Sequence, residues 1–172
     1  YNINIEGPDC SGKTTLFNKL HKENDFKYNI QDRSTMSMYV YSCLYNRPDQ
    51  EVWFNRIVDD LKRLDTLYIV LLPSEDTLVS RLKSRGDNFQ NETSIIKLRN
   101  LFCNLIKCGF GSYPNVLVLE DDNLEKNVDI SLDFIEVLNE MSSGDLIKQV
   151  VVNSGKNELV DISCKEKVDI SS

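Results

Sequence analysis

Proline, glycine, histidine and tryptophan are scarce in this chain: four, seven, one and one among 172 residues. So few breakers exclude a collagen-like or linker-type protein. The longest unbroken apolar run, Leu67 to Leu72, has six residues, far short of the roughly 20 that a membrane-spanning helix needs. No membrane partner is expected. The five cysteines (Cys10, Cys43, Cys103, Cys108 and Cys164) are odd in number, dispersed and without a CxxC pair. They read as free thiols rather than a disulfide framework or a zinc site. Cationic residues are outnumbered, 20 Lys and Arg against 27 Asp and Glu, for a formal net charge of −7. A non-specific grip on DNA or RNA needs the opposite surplus, so DNA is not an expected partner, whereas a small anion held in a local basic pocket is compatible. The lone His21 falls late in a helical run and reads as a capping or surface residue. The chain opens in the strand-like YNINIEG without a basic and apolar leader, which reads as a cytoplasmic setting.

What is present alternates. A 41% hydrophobic content supports one sizeable core. Strand-like runs at 1–6, 26–32, 66–72 and 115–120 are separated by runs with helical spacing. These helical runs cover 13–22, 35–46, 49–64, 74–85, 91–109 and 124–141. In the third, Trp53, Ile57, Leu61 and Leu64 fall on one face. Ser74 is placed to cap the fourth, with acids in its first turn. That order predicts an α/β fold, a parallel sheet flanked by helices in three layers. It also predicts one domain over 1–141. Residues 142–172 break this pattern; IKQVVVNSGKNELVDISC alternates around a turn-like NSGKN and reads as an appended hairpin or partly disordered tail.

The first strand runs into GPDCSGKT, from Gly7 through Asp9, Cys10, Ser11, Gly12 and Lys13 to Thr14, a match to GxxxxGK[ST]. Average residue usage makes a chance match in a chain this long about a one-in-two-hundred event, and a strand before and a helix after it are the context the motif requires. Such a loop turns backbone N–H groups inward and aims a helix N-terminus at the same point, so phosphate is its expected occupant. Lys13 reaches the outer phosphates, the Thr14 hydroxyl takes a magnesium ligand position, and Thr15 continues the helix. Asp9 inside the loop would be repelled by bound phosphates unless it faces a second substrate's hydroxyl or a cation.

The stretch IEGPDCSGKTTL resembles the thymidylate kinase family, in which EG is followed by one residue, Asp, and then GKT or GKS. The resemblance implies ATP and Mg2+ as cofactors and a sugar-hydroxyl contact for Asp9. Asp32 and Arg33, at the carboxyl end of the second predicted strand, are similar to that family's DR pair. The run through Ser37 and Tyr39 or Tyr41 is similar to phage-type members, while deoxynucleoside kinases carry a related Glu-Arg-Ser. Asp32 would hold Mg2+ through water or orient the acceptor, and Arg33 would clamp a phosphate with its planar fork. Arg81 and Arg85, four apart at a helix end, can close on a transferring phosphoryl group. The resemblance places a mobile lid there, with Arg85 the better catalytic arginine because Cys10 stands where some members carry a basic residue. The resemblance covers residues 1 to about 141 and departs in one respect. Only residues 23–31 are available where thymidylate kinases insert a further strand and helices before the DR pair.

These readings converge on an ATP-dependent kinase whose acceptor is a deoxynucleoside monophosphate. The alternatives are a hydroxyl kinase acting on a deoxynucleoside or a modified base in DNA, for which Asp9, Asp32 or Glu6 would serve as base, and a non-catalytic nucleotide-binding switch. A homodimer is compatible with all three.

Overall fold

The computed structural model describes residues 2–24, 27–63, 65–86 and 91–140. The expected tail at 142–172, Leu64 of the third helical run and the loop 87–90 lie outside the described residues.

Four strands form a parallel sheet in the order β2-β1-β3-β4. β1 (Asn2–Glu6) pairs with β2 (Asn29–Asp32) on one side and with β3 (Thr66–Leu71) on the other; β4 (Val116–Leu119) completes the sheet beside β3. β2 begins three residues later than the sequence pattern suggests, because its register places Asn29 opposite Asn2, the first described residue of β1.

Helices cover both faces. α1 (Lys13–Glu23) and α6 (Leu124–Glu140) lie on one face; α2 (Thr35–Leu44), α3 (Gln50–Leu61) and α5 (Glu92–Lys107) lie on the other. β3, in the middle, shows why its sequence is apolar throughout. Leu67, Ile69 and Leu71 enter the core with Leu16, Leu20 and Ile135, while Tyr68, Val70 and Leu72 enter the core with Phe54, Leu98 and Phe102. A strand covered on both faces needs no polar alternation, and truncating one of these side chains to Ala costs about 2–5 kcal/mol.

α4 (Glu75–Arg85) packs against α5 through Leu78, Leu82 and Ile95. Its start and stop follow the sequence: Ser74 Oγ accepts from Thr77 N, and Gly86 takes the left-handed C-cap. Asn91 and Ser94 close a reciprocal capping box at the head of α5, each satisfying an amide that the first turn leaves unpaired.

On α3 the buried stripe is Phe54, Ile57 and Leu61, not one through Trp53. Phe54 sits between the rings of Tyr39 and Phe110, 5.4 Å from each. The Trp53 indole stays half-buried at the helix edge, where its N–H donates to Asp49 Oδ2 at 2.7 Å.

Candidate phosphate-binding site

The loop between β1 and α1 owes its course to two glycines. Gly7 has φ 146°, and a Cβ there would lie 2.4 Å from the Leu71 carbonyl oxygen, so only glycine fits against β3. Gly12, at φ 96°, is the N-cap residue of α1 and contributes no side-chain cap. The first amides of that helix are therefore left for a ligand. Cys10 also takes a left-handed conformation, φ 66°, without the freedom of glycine, which stores strain in the loop.

Lys13 is buried and folds back over the loop, donating to the carbonyls of Gly7 and Pro8 at 2.8 Å each. Burial, and secondarily the Arg33 charge, hold its ammonium below the usual lysine value. Thr14 Oγ1 donates to Asp32 Oδ2 at 3.3 Å, which joins the head of α1 to the end of β2. Arg33 follows with φ 77°. Its N–H donates to the Ile5 carbonyl at 3.0 Å, and its guanidinium donates to Asp9 Oδ1 at 2.6 Å. Tyr41 lies under that guanidinium, 5.8 Å from ring centre to Cζ. Its hydroxyl bonds to Asp9, and burial together with the Asp9 charge pushes its pKa up.

Across the cleft, Arg81 donates to the Cys10 carbonyl at 3.0 Å and to the Asp122 carbonyl at 3.3 Å. Arg85 Nη1 lies 3.2 Å from Cys10 Sγ. The loop from Asp9 to Thr15, Asp32 with Arg33, and Arg81 with Arg85 line one cleft of about 760 Å³. Gly7 stands just behind it, and Ser11 lines it with a buried hydroxyl that has no partner among the described residues. The structure thus brings Asp9 to Thr15, Asp32, Arg33, Arg81 and Arg85 to one cleft, while Glu6, a candidate base from the sequence, is buried outside its lining.

Two contributors, Asp122 and Leu124, were not singled out in advance, and Glu6, named from the sequence only as a candidate base, holds the turn after β2. Glu6, fully buried, accepts from the Ser34 amide at 2.8 Å and from the Ser34 and Ser37 hydroxyls. Burial raises its pKa, and these hydrogen bonds pull the other way. Asp122 accepts from Ser74 N at 2.9 Å while its carbonyl holds Arg81, and Leu124 adds an apolar wall. The EG dipeptide contained the signal for Glu6; the other two depend on β4 and α6 lying beside α4. Of the two tyrosines that follow the Asp32-Arg33 pair, Tyr41 lies beneath Arg33 and bonds to Asp9, and Tyr39 is buried in the core. His21 packs edge-on against Phe17, 4.5 Å between ring centres.

Hard oxygen donors suit Mg2+, which keeps several waters and takes few protein ligands. The Thr14 hydroxyl and Asp32 carboxylate are such donors, adjacent to the phosphate loop. Among the described residues no cluster of three or more His, Cys, Asp or Glu offers an all-protein metal cage.

No protein-family model matches the sequence, and no curated protein does. Three solved structures of deoxyadenosine kinase from M. mycoides resemble the fold. The one with products dCMP and a flexible dCDP bound is 15% identical with a TM-score of 0.58, covering 80% of this chain and all of that one. The dCTP-bound structure is 14% identical with a TM-score of 0.54 over 80% of this chain. The dATP-bound structure is 16% identical with a TM-score of 0.54 over 79%. Each is covered in full. The described residues adopt an α/β fold of the P-loop deoxynucleoside kinase type.

Proposed function

We propose that this chain passes the γ-phosphoryl group of ATP, held with Mg2+, to a deoxynucleoside-type acceptor. One observation carries the reading: a single cleft is lined at once by the phosphate loop, by Asp32 and Arg33, and by Arg81 and Arg85. Phosphoryl transfer asks the protein mainly for positioning and charge neutralisation. Lys13 would exchange its two loop carbonyls for phosphate oxygens, and Arg85 would meet the charge that develops during transfer. Bound beside Thr14 and Asp32, Mg2+ would supply further neutralisation of the phosphate oxygens.

The charges beside the acceptor favour an uncharged hydroxyl. Asp9 and Asp32 place two carboxylates against the one guanidinium of Arg33, which is already bonded to Asp9. A dianionic acceptor would have to compete with Asp9 for that guanidinium. A hydroxyl finds a base: its oxygen bonds to the γ-phosphorus as the bond to the β-γ bridging oxygen breaks. The proton passes to a carboxylate and ADP leaves. The deoxyadenosine kinase fold neighbours support the same acceptor class.

A deoxynucleoside monophosphate is the second reading. It rests on Arg33, whose side chain is 52% exposed and free to turn from Asp9 toward an acceptor phosphate. A modified base in DNA is less favoured by the net charge of −7. A coupled assay of ADP release with ATP and Mg2+ over the four deoxynucleosides, their monophosphates and short DNA tests the proposal. Turnover on deoxynucleosides is expected. ATP binding with no turnover on any acceptor would overturn it in favour of a nucleotide-binding switch.

A further inference from the structure

The edge strand β2 and its neighbour β1 carry different chemistry on their two faces. In β1 and β2, Ile3, Ile5 and Ile30 enter the core with α1 and α6. The alternate positions are carboxamides: Asn2 and Asn4 in β1, Asn29 and Gln31 in β2. The parallel register sets Asn2 beside Asn29 and Asn4 beside Gln31, and Asn29 Nδ2 donates to Asn2 Oδ1 at 3.0 Å. A sheet face meant to be covered by a helix would read Val, Ile and Leu, as the other face does.

This face instead borders a second cleft, of about 410 Å³, lined by Asn2, Asn4 and Gln31 of the sheet and by Met38 and Trp53 of the flanking helices. Asn4 is only 6% exposed, yet its carboxamide makes no hydrogen bond within the described residues. Its polar atoms are not among the sealed, unpaired ones; they open into the cleft, where a water or a ligand can pair them.

The charged groups of the cleft are occupied. Asp60 accepts from Thr35 at 3.0 Å and Tyr68 at 2.9 Å, and Arg63 pairs with Asp65 at 3.3 Å. What remains open is uncharged. Adjacent donors and acceptors on carboxamides match the N–H and C=O edge of a heterocyclic base, and an indole ring with a thioether offers it a flat apolar wall.

We infer that this carboxamide cleft receives the base of the acceptor nucleoside, an inference that rests on the proposed kinase activity. The segment Gln31–Ser34 borders both clefts, Gln31 and Ser34 lining this one, Asp32 and Arg33 the phosphate cleft. An acceptor lying across that segment places its base at Asn4 and Gln31 and its hydroxyl at Asp32. Base contact and phosphate transfer thus fall in two different clefts that share the segment Gln31–Ser34.

Titration calorimetry of the full chain with deoxyadenosine, deoxycytidine, deoxyguanosine, thymidine and, separately, ATP tests the inference in wild type, Asn4→Leu and Gln31→Leu. At least one nucleoside is expected to bind wild type. Asn4→Leu should weaken it tenfold or more while ATP affinity stays within twofold. If Asn4→Leu does not fold, Gln31→Leu, at an exposed position, makes the same comparison. Equal nucleoside affinity in wild type and variants would overturn the cleft assignment with the kinase reading intact. So would ATP binding without any nucleoside binding. Loss of nucleoside binding in Asn4→Leu, in a chain that does not bind ATP, would uphold the cleft and sink the kinase.

Discussion

Arg33 and Asp9, 24 residues apart in sequence, meet at 2.6 Å across the phosphate cleft. The pair is partly open to solvent, so it adds only about 0–1 kcal/mol to stability. Its value is positional: Arg33 holds a left-handed backbone at φ 77°, a cost of about 1–3 kcal/mol for a residue with a side chain. The hydrogen bond from the Arg33 N–H to the Ile5 carbonyl and the Glu6 clamp on Ser34 keep the turn in place. Under the hydroxyl-kinase reading, Arg33→Ala lowers kcat/KM on a deoxynucleoside and on its monophosphate alike. Under the monophosphate reading, wild type prefers the monophosphate by roughly a thousandfold and Arg33→Ala erases most of that preference. Measuring both acceptors with both proteins decides between them.

Lys13→Ala tests the loop itself. The buried ammonium is held by two carbonyls and supports no other element, so far-UV circular dichroism should be unchanged. Loss of a preorganised cation at the phosphates should slow turnover by about a hundredfold or more. Wild-type turnover in this variant would sink the phosphotransferase assignment.

The two arginines of α4 divide their work. Arg81 is fixed by the Cys10 and Asp122 carbonyls and couples α4 to the loop. Arg85 meets the same residue through its thiol. Arg85→Ala should therefore lower kcat with little change in the KM for ATP, whereas Arg81→Ala should also lower the melting temperature. An unchanged kcat for Arg85→Ala would return that residue to favourable placement at a helix C-terminus.

These roles were unequally legible in the sequence. The phosphate loop is contiguous, and the helical period puts Arg81 and Arg85 on one face, so both could be found without coordinates. Ser74 was recognisable as a cap because capping is local. The partner of Arg81 is a carbonyl 71 residues away, and no spacing rule reaches that far. Tyr39 and Tyr41 follow the Asp32-Arg33 pair almost equally closely. The packing of α2 against Phe54 decides that Tyr39 is buried and Tyr41 is left for Arg33. The amides of β1 and β2 form a row only once the register sets Asn4 beside Gln31.

Glu6 offers a prediction whose sign can be worked out. Burial raises its carboxyl above the ordinary 4.5, against the pull of the hydrogen bonds from Ser34 and Ser37. Between 4.5 and that raised value the folded chain binds more protons at this site than the unfolded chain does. Stability from this group is then fully present below 4.5 and is lost as pH rises through the folded value. Glu6→Gln removes the titration but keeps an oxygen to accept from the Ser34 amide, and its NH2 can donate to a serine hydroxyl. The melting temperatures of wild type and Glu6→Gln should lie close together at pH 4.5 and separate toward pH 8, with the variant the more stable. Glu6→Ala should instead destabilise by several kcal/mol at every pH, because it opens a cavity and strands the Ser34 amide. Parallel melting curves for wild type and Glu6→Gln across that range would show that Glu6 does not titrate in the folded state. They would remove the burial argument for this residue.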